Sequence, residues 1–153
     1  RDWSSDVCSS DLAAIERGRS EARLVAGGGR AAALPRGCFV EPTIFESDNA
    51  AWIAREEIFG PVVTVIPFDD EADAIRIAND TPYGLGSYVY TTDPEQADRV
   101  ASALEVGMVF VNGVGLEAVE LPFGGVRLSG YGRELGTLGI DEFVNKKMIR
   151  VAR

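Results

Sequence analysis

The chain has no histidine, only two cysteines and no run of lysine or arginine. Without histidine, and with Cys8 and Cys38 far apart, neither a zinc cluster nor a disulfide framework can be read from it, and no metal is expected. Acidic residues outnumber basic ones, 24 to 15, so a nucleic-acid backbone or an anionic membrane would be repelled. Long apolar runs are missing as well. Stretches such as Val106 to Asn112 fall far short of the roughly 20 residues that span a bilayer. These absences predict a soluble protein of a reducing, cytoplasmic compartment, with neither nucleic acid nor membrane as partner. What is present, 153 residues with an apolar fraction of 46%, suffices for the core of one domain.

The first twelve residues, RDWSSDVCSSDL, differ in character from the rest, with four Ser, three Asp and one of the two Cys. They lack the apolar and basic regions of a targeting signal. An ordinary disordered tail is one reading. A sharper one is that DWSSDVCSSDL resembles a translated sequencing-library adapter, in which GACGTGTGCTCTTCCGATCT gives DVCSSDL. On that reading residues 1–12 are non-native, and the remainder, starting near Ala13, is the C-terminal piece of something longer.

Beyond the head, Leu12 to Ser20 has helical spacing, and Ala22 to Ala26 reads as a strand closed by Gly27, Gly28 and Gly29. A loop with Pro35 and Gly37 follows. Phe39 to Phe45 is extended, and Pro42 within it suits an edge strand. Ala50 to Glu56 gives helical turns ended by Gly60 and Pro61, and Val62 to Phe68 is an apolar run of the parallel-strand kind. Asp69 and Asp70 cap a predicted helix from Glu71 to Asn79 with Ala72, Ile75 and Ala78 on one face. A strand over Gly86 to Tyr90 leads through Asp93 and Pro94 into a helix reaching about Leu104, with Ala97, Val100 and Leu104 inward, before a buried strand over Val106 to Val111. Strands alternating with helices predict an α/β fold with a mainly parallel sheet and flanking helices. Phe143 to Val151 is strand-like but charged, and is expected to complete a sheet on another subunit.

Ligands of open parallel sheets sit off the carboxyl ends of the strands, where VFVNG places Asn112. An Asn satisfying a turn is the plainer reading. In REEIFGPV, extended backbone before Gly60 would point Glu57 and Phe59 to one side. A carboxylate can accept from vicinal ribose hydroxyls while a ring packs against a base. Alternatively Glu57 is solvated and Phe59 lies in the core. LPFGGVRLSGYGRELG, from Leu121 to Gly136, carries five glycines, as a loop lining a ligand site needs, yet matches neither a Walker loop nor GxGxxG. Glu134 falls at the expected first turn of a helix, where a capping role suffices.

EPTIF, EEIFGPV, NDTPYGL, GMVFVNG and PFGGVRLSGYGREL, in this order and spacing, resemble the C-terminal part of the aldehyde dehydrogenase superfamily over essentially Ala13 to Arg153. Within it, ELPFGGVRLSGYGREL followed by GIDEFVNKK is most similar to succinate-semialdehyde dehydrogenases. The resemblance implies oxidation of an aldehyde to a carboxylate with NAD or NADP, through a cysteine thiohemiacetal and thioester. It implies that Glu57 holds the nicotinamide ribose hydroxyls, Phe59 steadies the nicotinamide, Phe123 lines the aldehyde tunnel, and Glu134 joins the proton-relay network of carboxylate and water. It assigns residues 13–140 to the catalytic domain and 141–153 to an oligomerisation strand, giving a homodimer or homotetramer at full length.

The family's nucleophilic Cys, general-base Glu, oxyanion-hole Asn and pyrophosphate turn lie upstream of the matched region, so the chain alone is expected to be inactive. Cys38, where the family has a large residue before a strand, is expected to be a buried packing residue. Where succinate-semialdehyde enzymes place a Ser that binds the substrate carboxylate, this chain reads GVGLEAVEL, putting Glu117 near the substrate. That carboxylate would repel a second one. The alternative to an enzyme fragment is a stand-alone, non-catalytic module that binds a nucleotide or docks on a subunit.

Overall fold

The computed structural model describes residues 3–34 and 36–152, with side chains from residue 9 onward. Arg1, Asp2, Pro35 and Arg153 lie outside the described residues. Two compact units, residues 1–69 and 70–153, divide the chain.

The first unit starts with α1 (Trp3–Gly18), followed by β1 (Arg23–Ala26), β2 (Thr43–Glu46), α2 (Trp52–Arg55) and β3 (Val62–Val65). The strands form a sheet in the order β1-β2-β3, antiparallel between β1 and β2 and parallel between β2 and β3. The helix expected from Leu12 begins upstream at Trp3 and runs without a break through the Leu12/Ala13 junction. Asp11 and Ile15, four residues apart, fall on one face of it and are both buried.

The core is Ile15, Phe45, Ala51 and Ile53. Gly18 allows the end of α1 to come close, since a Cβ there would stand 3.0 Å from the Phe45 ring. Thr43, almost fully buried, is satisfied at both ends of its hydroxyl, donating to Glu41 O (2.8 Å) and accepting from Gly28 N (2.9 Å).

The edge-strand expectation for Phe39 to Phe45 is overturned, because β2 is the central strand. Pro42 stands one residue ahead of the first ladder residue, so its missing N–H leaves the ladder intact; Thr43 N already donates to Pro61 O. The parallel-strand run keeps only one face covered: Val63 and Val65 are about half exposed, while Val62 packs against the core.

The second unit contains α3 (Glu71–Asn79), β4 (Gly86–Val89), α4 (Pro94–Ala103), β5 (Met108–Val111), a 3-10 turn (Arg127–Ser129) and α5 (Gly136–Asp141). β4 and β5 pair in parallel as a separate two-stranded sheet, so the α/β class holds but the parallel strands are split between two small sheets. The expected helix starts are built as read. Asp70 accepts from Asp73 N (2.8 Å), Asp93 accepts from Glu95 N (2.9 Å), and Pro94 takes the first helical position. In α4, Ala97 and Val100 are half-buried, as is Leu104 at its C-cap; in α3, Ala72 and Ala78 are exposed.

The expected terminal strand is absent as such. Among the described residues, those beyond α5 adopt no strand, and Phe143, Met148, Ile149 and Val151 are each at least 79% exposed. A strand exists only through ladder hydrogen bonds to a neighbouring strand, and among the described residues none pairs with this segment. Among the described residues no helix is long and apolar enough to cross a membrane, and no group of three or more His, Cys, Asp or Glu could hold a metal ion.

The Glu71 carboxylate of α3 meets Arg99 of α4 in a two-pronged ion pair (2.6 and 2.8 Å) and also accepts from Gln96. The hydrogen bond from Arg99, then that from Gln96, lowers the Glu71 pKa from 4.5 to about 2. A lowered carboxylate pKa contributes stability that is complete above the ordinary value and is lost as pH falls through the folded one. Arg99→Gln is therefore expected to lower the denaturation midpoint most above pH 4.5, with an effect that shrinks as pH falls toward 2 and disappears below it. Equal lowering of the urea midpoint above pH 4.5 and below pH 2 would refute this role.

Candidate functional site

α2 is short, and its ends are fixed from outside. Its first N–H, on Trp52, donates to the Glu21 carboxylate (2.8 Å), and the Arg17 guanidinium lies 3.9 Å from the Trp52 ring centroid. The chain leaves the helix at Glu56 in extended conformation (φ −93°, ψ 137°) and turns at Gly60 and Pro61. Glu57 and Phe59 follow Glu56 outside any helix or strand and line one open pocket of about 610 Å³, which also touches Trp52 and Asp11. The core reading of Phe59 is wrong, for its side chain is 88% exposed. A carboxylate and a bare aromatic ring thus border the same cavity.

Phe123 and Glu134 are also brought together, by backbone rather than side chains. Phe123 N donates to Glu134 O (2.8 Å) and Glu134 N to Phe123 O (2.7 Å), an isolated antiparallel bridge. Glu134 consequently precedes α5 and is not in its first turn. Leu135 occupies the cap position with φ 61°, and no side chain caps the helix, so the capping role expected for Glu134 is corrected. The reason is the bridge itself, which holds Glu134 extended. Phe123 and Glu117 line a smaller pocket of about 190 Å³ against β5; Glu134 does not. Neither Arg nor Lys is among that pocket's lining residues.

Asn112 performs the turn-satisfying role. At φ 55° its side chain accepts from Thr91 N (2.9 Å) and donates to Thr91 O (2.8 Å), tying the carboxyl ends of β4 and β5. Cys38 is exposed rather than buried, since its loop lies outside the core cluster.

The sequence reading passed over the residues that fix the glycine loop. Arg127 donates to Asn79 O and Thr81 O, and Ser129 Oγ accepts from Gly84 N (3.0 Å). The one available signal was a cation enclosed by glycine pairs in GGVRLSGYG.

The chain matches the aldehyde dehydrogenase family over residues 7–149, and it belongs to that family. A geranial dehydrogenase from Castellaniella defragrans is 48% identical over 136 residues, covering 88% of this chain and 28% of that protein. A betaine aldehyde dehydrogenase from Cereibacter sphaeroides is 43% identical over 141 residues, or 92% of this chain and 29% of the relative. The crystal structure of a Mycobacterium tuberculosis aldehyde dehydrogenase complexed with NAD+ superposes with a TM-score of 0.86 at 42% identity, over 90% of this chain and 29% of that one. The chain therefore spans less than a third of the length of these relatives.

Proposed function

We propose that the whole protein to which this chain belongs oxidises an aldehyde to a carboxylate with NAD as coenzyme, NADP being the alternative. The observation that carries the reading is the pocket shared by Glu57 and Phe59 in a chain that matches the family almost end to end. The donor set fits a nicotinamide nucleoside. The Glu57 carboxylate offers two acceptors to vicinal hydroxyls, and the exposed Phe59 ring offers a flat apolar face. When bound, the coenzyme supplies a hydride acceptor. Glu57 holds the ribose, Phe59 steadies the nicotinamide, Phe123 walls the aldehyde site, and Glu134 belongs to the proton-relay network. The complex of the M. tuberculosis relative supports NAD.

The nucleophilic Cys and general-base Glu belong to the remainder of the whole protein, so the isolated chain gives no turnover. Residues 1–12 are non-native on this reading, although the family match begins at residue 7 and Asp11 borders the Glu57 pocket; the native residue then replaces Asp11 in its wall. Reading the source DNA upstream across the Leu12/Ala13 junction tests this. The exposed apolar residues Phe143, Met148 and Ile149 fit burial against a second subunit in a homo-oligomer. In the whole protein, Glu57→Gln is expected to raise KM for NAD about tenfold with little change in KM for the aldehyde, from the loss of a charge-assisted contact. An unchanged KM for NAD would remove Glu57 from the site.

Succinate semialdehyde is the substrate suggested by ELPFGGVRLSGYGREL and GIDEFVNKK. One observation favours a second reading, an uncharged or cationic aldehyde: Glu117 lines the Phe123 pocket, whose lining includes neither Arg nor Lys. The relatives named for geranial and betaine aldehyde accord with it. On this reading Glu117→Gln improves kcat/KM for succinate semialdehyde relative to an uncharged aldehyde about fivefold, the size of one weakly screened charge contact. No change in that ratio would return the choice to succinate semialdehyde.

A further inference from the structure

Resting on the aldehyde-site reading of Phe123 and Glu134, we propose that Arg127 is the positioning residue for that wall. The loop between those two residues contains Gly124, Gly125, Gly130 and Gly132, three of them at positive φ. Such a loop has many conformations to lose on closing. At its base stands a single bridge of two hydrogen bonds with no ladder beyond it, so the register of Phe123 against Glu134 depends on what the loop does.

The far side of the loop is held by two side chains, Ser129, which accepts from Gly84 N, and Arg127, which makes the larger set of contacts. Arg127 Nη1 donates to Asn79 O (2.7 Å) and Thr81 O (2.8 Å), while Nη2 pairs with Glu105. The same corner is itself braced, because Asn79 Nδ2 donates to Ala103 O (2.9 Å) and its Oδ1 accepts from Glu105 N (2.8 Å). The guanidinium therefore grips a fixed junction between the ends of α3 and α4. To reach it Arg127 takes φ 57°, a conformation unfavourable for any residue with a Cβ. Backbone strain of this kind persists only where surrounding contacts over-determine it, and it gathers at working sites. Backbone bonds from Val126 N to Gly84 O and from Leu128 N to Pro82 O complete the pin, and Arg133 to Gly125 O ties the two arms nearer the base.

Amide hydrogen exchange on the full 153-residue chain tests this. In Arg127→Ala the Phe123 and Glu134 amides are expected to exchange about tenfold faster while the α4 amides stay within about twofold. Arg127→Lys, whose ammonium can still donate to both carbonyls, is expected to recover most of the protection. Unchanged exchange at both amides in the alanine variant, or a lysine variant no better than alanine, overturns the proposal. Should the alanine variant unfold, Arg127→Met keeps the aliphatic stem and removes every donor to Asn79 O, Thr81 O and Glu105: faster exchange at the two amides supports the pin and parental exchange overturns it.

In the whole protein Arg127→Ala is expected to raise KM for the aldehyde about tenfold with KM for NAD within twofold. Equal rises in both would show general loosening and sink the positioning role. A whole protein with no aldehyde oxidation at all would instead defeat the proposed function, whatever the exchange rates.

Discussion

Replacing Gly107 by alanine is expected to cost the second unit about 3 kcal/mol or more and to release the Phe123–Glu134 bridge. A Cβ at Gly107 would lie 1.9 Å from Gly124 O and 2.8 Å from Gly125 Cα. Both atoms are backbone, so no side chain can swing aside, and either β5 or the glycine loop must move. Gly107 N also donates to Gly84 O (3.0 Å), which ties this residue to the segment that holds Val126 and Ser129. The displacement therefore passes into the loop carrying Phe123. Urea denaturation followed by exchange at Phe123 and Glu134 reads both consequences. A midpoint equal to the parent's would show that the close approach of Gly107 and Gly124 is dispensable. Gly29→Ala is a suitable control, because nothing lies within 4 Å of a Cβ there, and its effect is expected to stay within about 0.5 kcal/mol.

The second large effect is in the first unit. Phe45 is fully buried at the centre of β2, against Ile15 and Ile53, so Phe45→Ala is expected to destabilise by about 3–5 kcal/mol. Denaturation followed by Trp52 emission measures it, since Trp52 packs against the same cluster. A loss below about 1 kcal/mol would mean that this cluster is not what holds the unit together.

Where local chemistry decides the structure, the sequence was legible. Asp70 and Asp93 followed by helix-forming residues, Pro94 at the first turn, and apolar runs spaced by helices were read correctly because a cap or a period acts within a few residues. Pro42 misled because one residue of offset separates a proline that breaks a ladder from one that precedes it. Phe59 misled in the opposite sense: an aromatic residue in an apolar-looking stretch reads as core, yet its exposure depends on which way the chain leaves α2, and that is set by Glu56, Gly60 and Pro61 together.

The geometry around the candidate residues was legible only in part. Glu57 and Phe59 were expected to face one side, and one pocket takes both. Glu134 was placed in a helix because Gly-rich loops carry no period, and only the tertiary bridge to Phe123 reveals it as extended. Arg127 escaped notice for the same reason. Its partners are the carbonyls of Asn79 and Thr81, more than forty positions away, and no spacing rule links them. The tail around Phe143 to Val151 reads as a strand by composition, but the single chain gives it no partner.

The most direct measurement is the formation of reduced nicotinamide coenzyme from an aldehyde and NAD by the whole protein, with the 153-residue chain assayed in parallel. The whole protein is expected to turn over, its Glu57→Gln variant to show an increased KM for NAD, and the chain alone to give no turnover. Turnover by the isolated chain, or a whole protein that leaves NAD unreduced with every aldehyde tried, would contradict this expectation.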